Sequence, residues 1–158
     1  MILLKGEKII LRSVDFSDID TLLLWENSTH ESLYGVFDEK YSREDVVQFV
    51  VTQMQYSIAE TEQLRLMICS YDGERLGCID LTEYDGRKAF VSILIAGLDN
   101  RRKGFGKNAL QLLINYSKSL GLHTLYARIL PVNFPSKELF KKVGFVDGGA
   151  MLYHLSLQ

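Results

Sequence analysis

Residues 88–130 constrain the architecture more than any other stretch. Lys88 to Leu98 is rich in β-branched and aliphatic residues and reads as a strand. Gly104 to Leu120 reads as a helix, with Ala109, Leu113, Tyr116 and Leu120 on one face. Gly121 stands where a C-terminal glycine cap belongs. Thr124 to Leu130 reads as a second strand. A strand, a helix and a strand in about forty residues predict a right-handed parallel crossover.

The turn inside that crossover is Arg101-Arg102-Lys103-Gly104-Phe105-Gly106-Lys107. A helix start leaves its first N–H groups unpaired and carries partial positive charge. Glycines there let an anion approach the backbone closely. Four basic residues reinforce the effect in a chain whose net charge is −2. The combination predicts an anion site of diphosphate size. A solvated loop with ordinary capping glycines is the plain alternative. Gly104-Phe105-Gly106-Lys107-Asn108-Ala109 also fits the relaxed dinucleotide fingerprint. That motif wants an acidic residue at the end of the next strand, and Ile129-Leu130-Pro131 supplies none. A nicotinamide-dependent oxidoreductase is therefore the weaker reading.

The preceding part reads as helices followed by an antiparallel meander. Lys8 to Val14 forms a strand, and Asp15-Phe16-Ser17-Asp18 offers N-caps for a helix ending near Asn27-Ser28. Ser42-Arg43-Glu44-Asp45 reads as a capping box for a helix carrying Val46, Val47, Phe49, Val50, Met54 and Ile58. Leu64 to Tyr71, Arg75 to Glu83 and the strand from Lys88 are joined at Asp72-Gly73 and Asp85-Gly86. After Thr124 to Leu130, a short helix spans Pro135 to Val143, stopped by Gly144. Phe145 to Val146 and Met151 to Leu157 close the chain as strands. With 158 residues, no linker and no repeat, one α+β domain over residues 1–158 is expected.

The acidic balance argues against general nucleic-acid binding. No apolar run reaches the roughly 18 residues that span a bilayer. The apolar part of Met1 to Gly6 is too short for a signal peptide, so a cytoplasmic protein is expected. Cys69 and Cys78 read as reduced core thiols. His30, His123 and His154 are scattered and form no metal-ligand pattern.

Arg101-x-x-Gly104-x-Gly106, between a central strand and its helix, resembles the coenzyme signature of the GNAT acyltransferases. Asn133, Ser136, Leu139, Phe140, Lys141 and Gly144-Phe145 resemble that family's second signature. Ile9-x-Leu11-Arg12, followed by a helix ending Trp25-Glu26-Asn27, is similar to the branch with ribosomal-protein N-terminal and spermidine acetyltransferases. The resemblance implies a mixed, mostly antiparallel sheet of six to seven strands, helices on both faces and a splayed central strand pair. It also implies an N-acetyltransferase that moves acetyl from acetyl-CoA to a primary amine, as monomer or homodimer. The acceptor would be a protein N-terminus, a polyamine, an amino sugar or another small amine.

Under that resemblance Arg101, Arg102, Lys103, Gly104, Phe105, Gly106 and Lys107 hold the diphosphate. Leu94, Ile95 and Ala96 bond the pantetheine arm like an added strand. Asn133, Ser136, Lys137 and Phe140 complete the coenzyme site. The family's usual thiolate-protonating tyrosine is replaced here by Phe140, which cannot donate a proton. Tyr153 is the substitute acid. Asp80, a charge in mid-strand, and Glu83 are the candidates for ordering water or holding the ammonium; a solvent-facing carboxylate is the alternative for each. Trp25, Tyr34 and Ser92 are expected to line the acceptor pocket. A coenzyme-binding module without catalysis is the competing class, motivated by the missing tyrosine.

Overall fold

The computed structural model describes residues 1–28, 41–101 and 103–158. Strands β1 (Leu3–Lys5) and β2 (Ile10–Ser13) form an N-terminal hairpin, followed by a 3₁₀ turn at Phe16–Asp18. Helices α1 (Ile19–Ser28), α2 (Arg43–Gln55) and α3 (Ile58–Thr61) come next. The meander is β3 (Leu64–Cys69), β4 (Arg75–Thr82) and β5 (Lys88–Ile95). Helix α4 (Phe105–Ser119), β6 (Thr124–Arg128), α5 (Phe134–Lys142), β7 (Val146–Asp147) and β8 (Leu152–Ser156) complete the chain. One eight-stranded sheet has the order β1-β2-β3-β4-β5-β6-β8-β7. Among the described strand pairs only β5–β6 is parallel, as the β5–α4–β6 crossover requires.

The sheet exceeds the expected six to seven strands because Leu3–Lys5 pairs with Ile10–Arg12. The helical stripe expected to reach Ile58 breaks at Tyr56, whose backbone is extended at φ −120°, ψ 148°. Ser57 and Glu60 then form a new capping box that starts α3. No described helix is long and apolar enough to cross a membrane.

Strand alternation divides the core between two faces. Leu66, Ile68, Ile79, Leu81, Ala89, Val91, Leu125, Ala127 and Tyr153 pack beneath Ala109, Leu110 and Leu113 of α4 and Phe140 of α5. Met67, Cys69 and Cys78 pack beneath Ile19 and Leu22 of α1 and Val46 and Val50 of α2. Each fully buried Leu or Ile contributes about 1.5–3 kcal/mol. Both cysteines are free and buried, and burial pushes the Cys78 thiol up to about 12.

Asp18 anchors the start of α1. It is fully buried and accepts from Arg12 Nη1 and Nη2 at 2.8 and 2.7 Å and from Arg75 Nε at 2.7 Å. Burial alone would raise its pKa; the two guanidinium groups outweigh burial and hold it below the ordinary value.

Candidate active site

The parallel pairing of β5 with β6 lasts only from Lys88↔Thr124 to Phe90↔Tyr126. On its other side β5 stays paired with β4 as far as Ile95↔Gly77. Residues 91–95 therefore have a strand neighbour on one side and a gap on the other. Peptide groups in an antiparallel ladder alternate between the two sides. The Ala96 N–H donates to Leu76 O at 2.8 Å, which fixes the phase. Ser92, Leu94 and Ala96 turn their peptide groups to β4; Val91, Ile93 and Ile95 turn theirs to the gap.

This corrects the expected trio. Of Leu94, Ile95 and Ala96, only Ile95 offers its peptide groups to the gap, and Ile93 joins it. Ala96 is engaged twice, because its carbonyl also accepts from Asn100 Nδ2 at 2.9 Å. The phase was invisible in the sequence because it depends on how β4 lies against β5. That contact is tight: a Cβ at Gly77 would stand 1.9 Å from the Leu94 carbonyl oxygen.

The N-terminus of α4 lies just beyond β5. Gly104 is its N-cap at φ 82°, ψ 7°, a left-handed conformation that favours glycine. The first helical bond runs from Asn108 N to Gly104 O at 3.1 Å. No side chain caps this end, and the first turn holds no acid. Among the described residues, the N–H groups of Phe105, Gly106 and Lys107 thus have no side-chain cap and no acidic neighbour in the first turn. Arg101, Lys103 and Lys107 are exposed, while the Phe105 side chain packs on the core. Arg102 and Tyr34, both named from the sequence, lie outside the described residues. Lys8, which sequence reasoning missed, reaches this turn from the β1–β2 connection.

Asn133 caps α5, its Oδ1 accepting from Ser136 N at 3.3 Å. Ser136 and Lys137 are half-buried, and Lys137 Nζ sits 5.1 Å from the Phe134 ring centroid. Phe140 is 3% exposed and meets Phe145 edge to face at 5.0 Å. It belongs to the core here, not to a cleft lining, because the apolar ring gains more by packing than by facing water.

On the opposite face of the sheet, Asp80 stands across from Ser92. Asp80 is 5% exposed, so the solvent-facing alternative fails. Its partner is Arg65, which donates from Nε at 2.9 Å and Nη2 at 2.8 Å. Arg65 Nη1 also donates to Glu26 at 2.7 Å, and its guanidinium lies over the Phe49 ring at 4.8 Å. Burial lifts the Asp80 carboxyl above its ordinary value, against the pull of Arg65. Ser92 is exposed, and Trp25 is half-buried and, like Leu94 and Phe49, packs against the α1–α2 core.

Two expected catalytic residues lie elsewhere. Glu83 is exposed and bound to Arg128 at 2.6 Å, which lowers its pKa and weakens it as a base. Tyr153 is 2% exposed and pairs with Ala127 on the α4–α5 face, opposite Asp80. Its hydroxyl is directed toward Asp147 at 3.4 Å, on β7, the strand farthest from β1 and three positions past β5. Burial and the Asp147 charge raise its pKa. Tyr153 is thus turned away from the gap.

Arg65 and Glu26 escaped the sequence reading. A partial signal for Arg65 was present: a two-residue turn at Asp72-Gly73 would set position 65 opposite position 80, and that pairing is observed, although the turn itself runs over residues 70–73 and the register is restored by a shift between Ile68 and Cys69. Glu26 gave no such signal, since it reaches Arg65 from a helix 39 positions away in sequence. A depression of about 440 Å³ lined by Gly6, Asn108, Gln111, Asn115 and Val143 runs along α4, apart from the β5–β6 gap.

A family profile described as an acetyltransferase (GNAT) domain matches residues 8–146. An uncharacterized protein of Methanocaldococcus jannaschii is 24% identical over 154 residues. The match covers 89% of this chain and 28% of that relative, so the chain spans less than a third of its length. The Bacillus subtilis protein YwnH, whose name carries phosphinothricin acetyltransferase as a provisional assignment, is 30% identical over 146 residues. That match covers 88% of this chain and 85% of YwnH. The fold matches the Vibrio cholerae spermidine N-acetyltransferase solved with CoA and spermine, at TM-score 0.76, 20% identity and coverage of 89% and 82%. It also matches RimL, a ribosomal L7/L12 α-N-protein acetyltransferase solved with CoA, at TM-score 0.80, 13% identity and coverage of 98% of both chains.

Proposed function

Because this chain belongs to the GNAT acetyltransferase family, we propose that it is an acyltransferase that moves acetyl from acetyl-CoA to a primary amine. The observation that carries this reading is the β5–β6 gap beside an uncapped, glycine-initiated, basic helix start. Solved neighbours of the same fold hold CoA.

In this reading the N–H groups at Phe105, Gly106 and Lys107 take the diphosphate, helped by Arg101, Arg102, Lys103 and the Gly104 turn. Asn133, Ser136 and Lys137 border the arm from α5. The arm adds to the open edge of β5 through Ile93 and Ile95. Acetyl-CoA supplies the thioester carbonyl.

The amine approaches from the face that carries Asp80, Ser92, Trp25 and Glu26. The Glu26–Arg65–Asp80 group carries one net negative charge and favours an ammonium. Asp80, whose pKa burial raises, takes the ammonium proton through water. The neutral nitrogen attacks the carbonyl carbon and the new C–N bond forms; the now cationic nitrogen gives its surplus proton to water as the C–S bond breaks, which leaves a neutral amide and the coenzyme thiolate. A free thiol in water ionises at about pH 8.5, so the thiolate leaves without a tyrosine donor and is protonated by water.

The test is thiol release from acetyl-CoA across a panel containing spermidine, a peptide with a free α-amine, phosphinothricin and an amino sugar. Turnover on at least one amine supports the reading. Tight CoA binding with no turnover on any amine would overturn it.

A further inference from the structure

We infer that Lys8, carried by the β1–β2 turn, is an additional arm of the diphosphate site. This rests on the acetyl-CoA reading above and adds a residue from the opposite end of the sequence. Lys8 Nζ donates to Lys103 O at 2.9 Å. It also lies 2.8 Å from the point a Cβ on Gly104 would occupy. The ammonium therefore sits against the turn that opens α4. An ammonium has three donors, and one is used here; among the described residues Lys8 Nζ makes no other hydrogen bond. Two donors remain for an anion.

The turn that carries Lys8 is fastened at both ends. Asn108, in the first turn of α4, accepts through Oδ1 from Lys8 N at 2.8 Å and from Ile9 N at 3.3 Å. The Tyr71 hydroxyl, from the β3–β4 connection, donates to Gly6 O. These bonds hold the lysine backbone in register with the helix start, which reduces the ordering cost of a flexible side chain on binding. A cation held this way beside uncapped N–H groups completes an electropositive rim already formed by Arg101, Lys103 and Lys107.

Titration calorimetry with CoA and dephospho-CoA, at low and high salt, tests the assignment on Lys8→Gln and Lys8→Arg. Gln keeps a donor toward Lys103 O but removes the charge; Arg keeps the charge. Lys8→Gln is expected to weaken both ligands about tenfold, the size of one charge-assisted bond, and to flatten the salt dependence. Lys8→Arg is expected to recover most of the affinity. Unchanged affinity in Lys8→Gln, or equal losses in Gln and Arg, would sink the proposal by making Lys8 a brace. A loss seen with CoA but absent with dephospho-CoA would overturn it in favour of the 3′-phosphate. Wild-type protein that binds neither ligand would overturn the acetyl-CoA reading itself, a result distinct from the others.

Discussion

Arg65 holds Asp80 along the one edge formed by Nε and Nη2, and Glu26 through Nη1. Nε and Nη2 meet the Asp80 oxygens at 2.9 and 2.8 Å, and Nη1 meets Glu26 at 2.7 Å. The Arg65 side chain is 13% exposed and that of Asp80 is 7% exposed, so water can replace little of this contact.

Replacing Arg65 with Met keeps the length and removes the charge. Asp80 would remain buried without its partner, at a cost of about 3–5 kcal/mol. Urea denaturation should show that loss. Adding Asp80→Asn to Arg65→Met should recover part of it, because the unpaired charge is then gone. A double variant less stable than Arg65→Met would contradict this account.

Gly104→Val tests the anion turn. A β-branched residue at φ 82° is strained, and its Cβ would crowd Lys8 Nζ at 2.8 Å. CoA affinity should fall at least about tenfold, while circular dichroism stays that of the wild type. Unaltered affinity would count against the turn as the diphosphate site.

Gly77→Ala should damage the sheet beside the gap. The new methyl would stand 1.9 Å from Leu94 O, so β4 and β5 must separate. Overpacking of this kind costs about 1–3 kcal/mol or more. Thermal melting should show the loss, and turnover should fall with it, since Ile93 and Ile95 would shift at the gap.

Tyr153→Phe separates core packing from acid catalysis. The ring stays buried, and the hydrogen bond lost is the long 3.4 Å contact to Asp147. Turnover should stay within about threefold of wild type, whereas removal of a true general acid costs about 10²-fold or more. A hundredfold fall in kcat would restore Tyr153 as the proton donor.

Asp18 sets an acid limit on stability. Its folded pKa lies below the ordinary value, so its ionised form stabilises the fold. That contribution is complete above the unfolded value of about 3.9 and is lost as pH falls through the lower folded value. Denaturation midpoints should therefore drop below about pH 4. Asp18→Asn should be less stable at pH 7 and should show a weaker drop on acidification. Parallel curves for the two proteins would refute the assignment.

Local chemistry made much of the fold legible. The basic Gly104 turn, the Ser42 and Asp15 caps, the Asp72-Gly73 turn and the helix ending at Gly121 all act through neighbours a few residues away, and each formed near its expected place. The candidate site was less legible. Asp80 stood out as a charge in mid-strand, but not its burial under α1 and α2 or its bond to Arg65. Tyr153 looked available as an acid because a sequence cannot say on which side of a sheet a lone strand turns its odd residues.

The sequence by itself determined the crossover, the helix start that favours an anion and the family signature, because these depend on short-range backbone sterics and unpaired N–H groups. The tertiary structure alone decided which β5 peptide groups face the gap, where Lys8 comes to rest and which carboxylate is held by Arg65. Those outcomes depend on strand register and on elements meeting across 15 to 95 or more positions of chain. Such meetings are fixed only when the whole sheet closes and its two faces are buried at once.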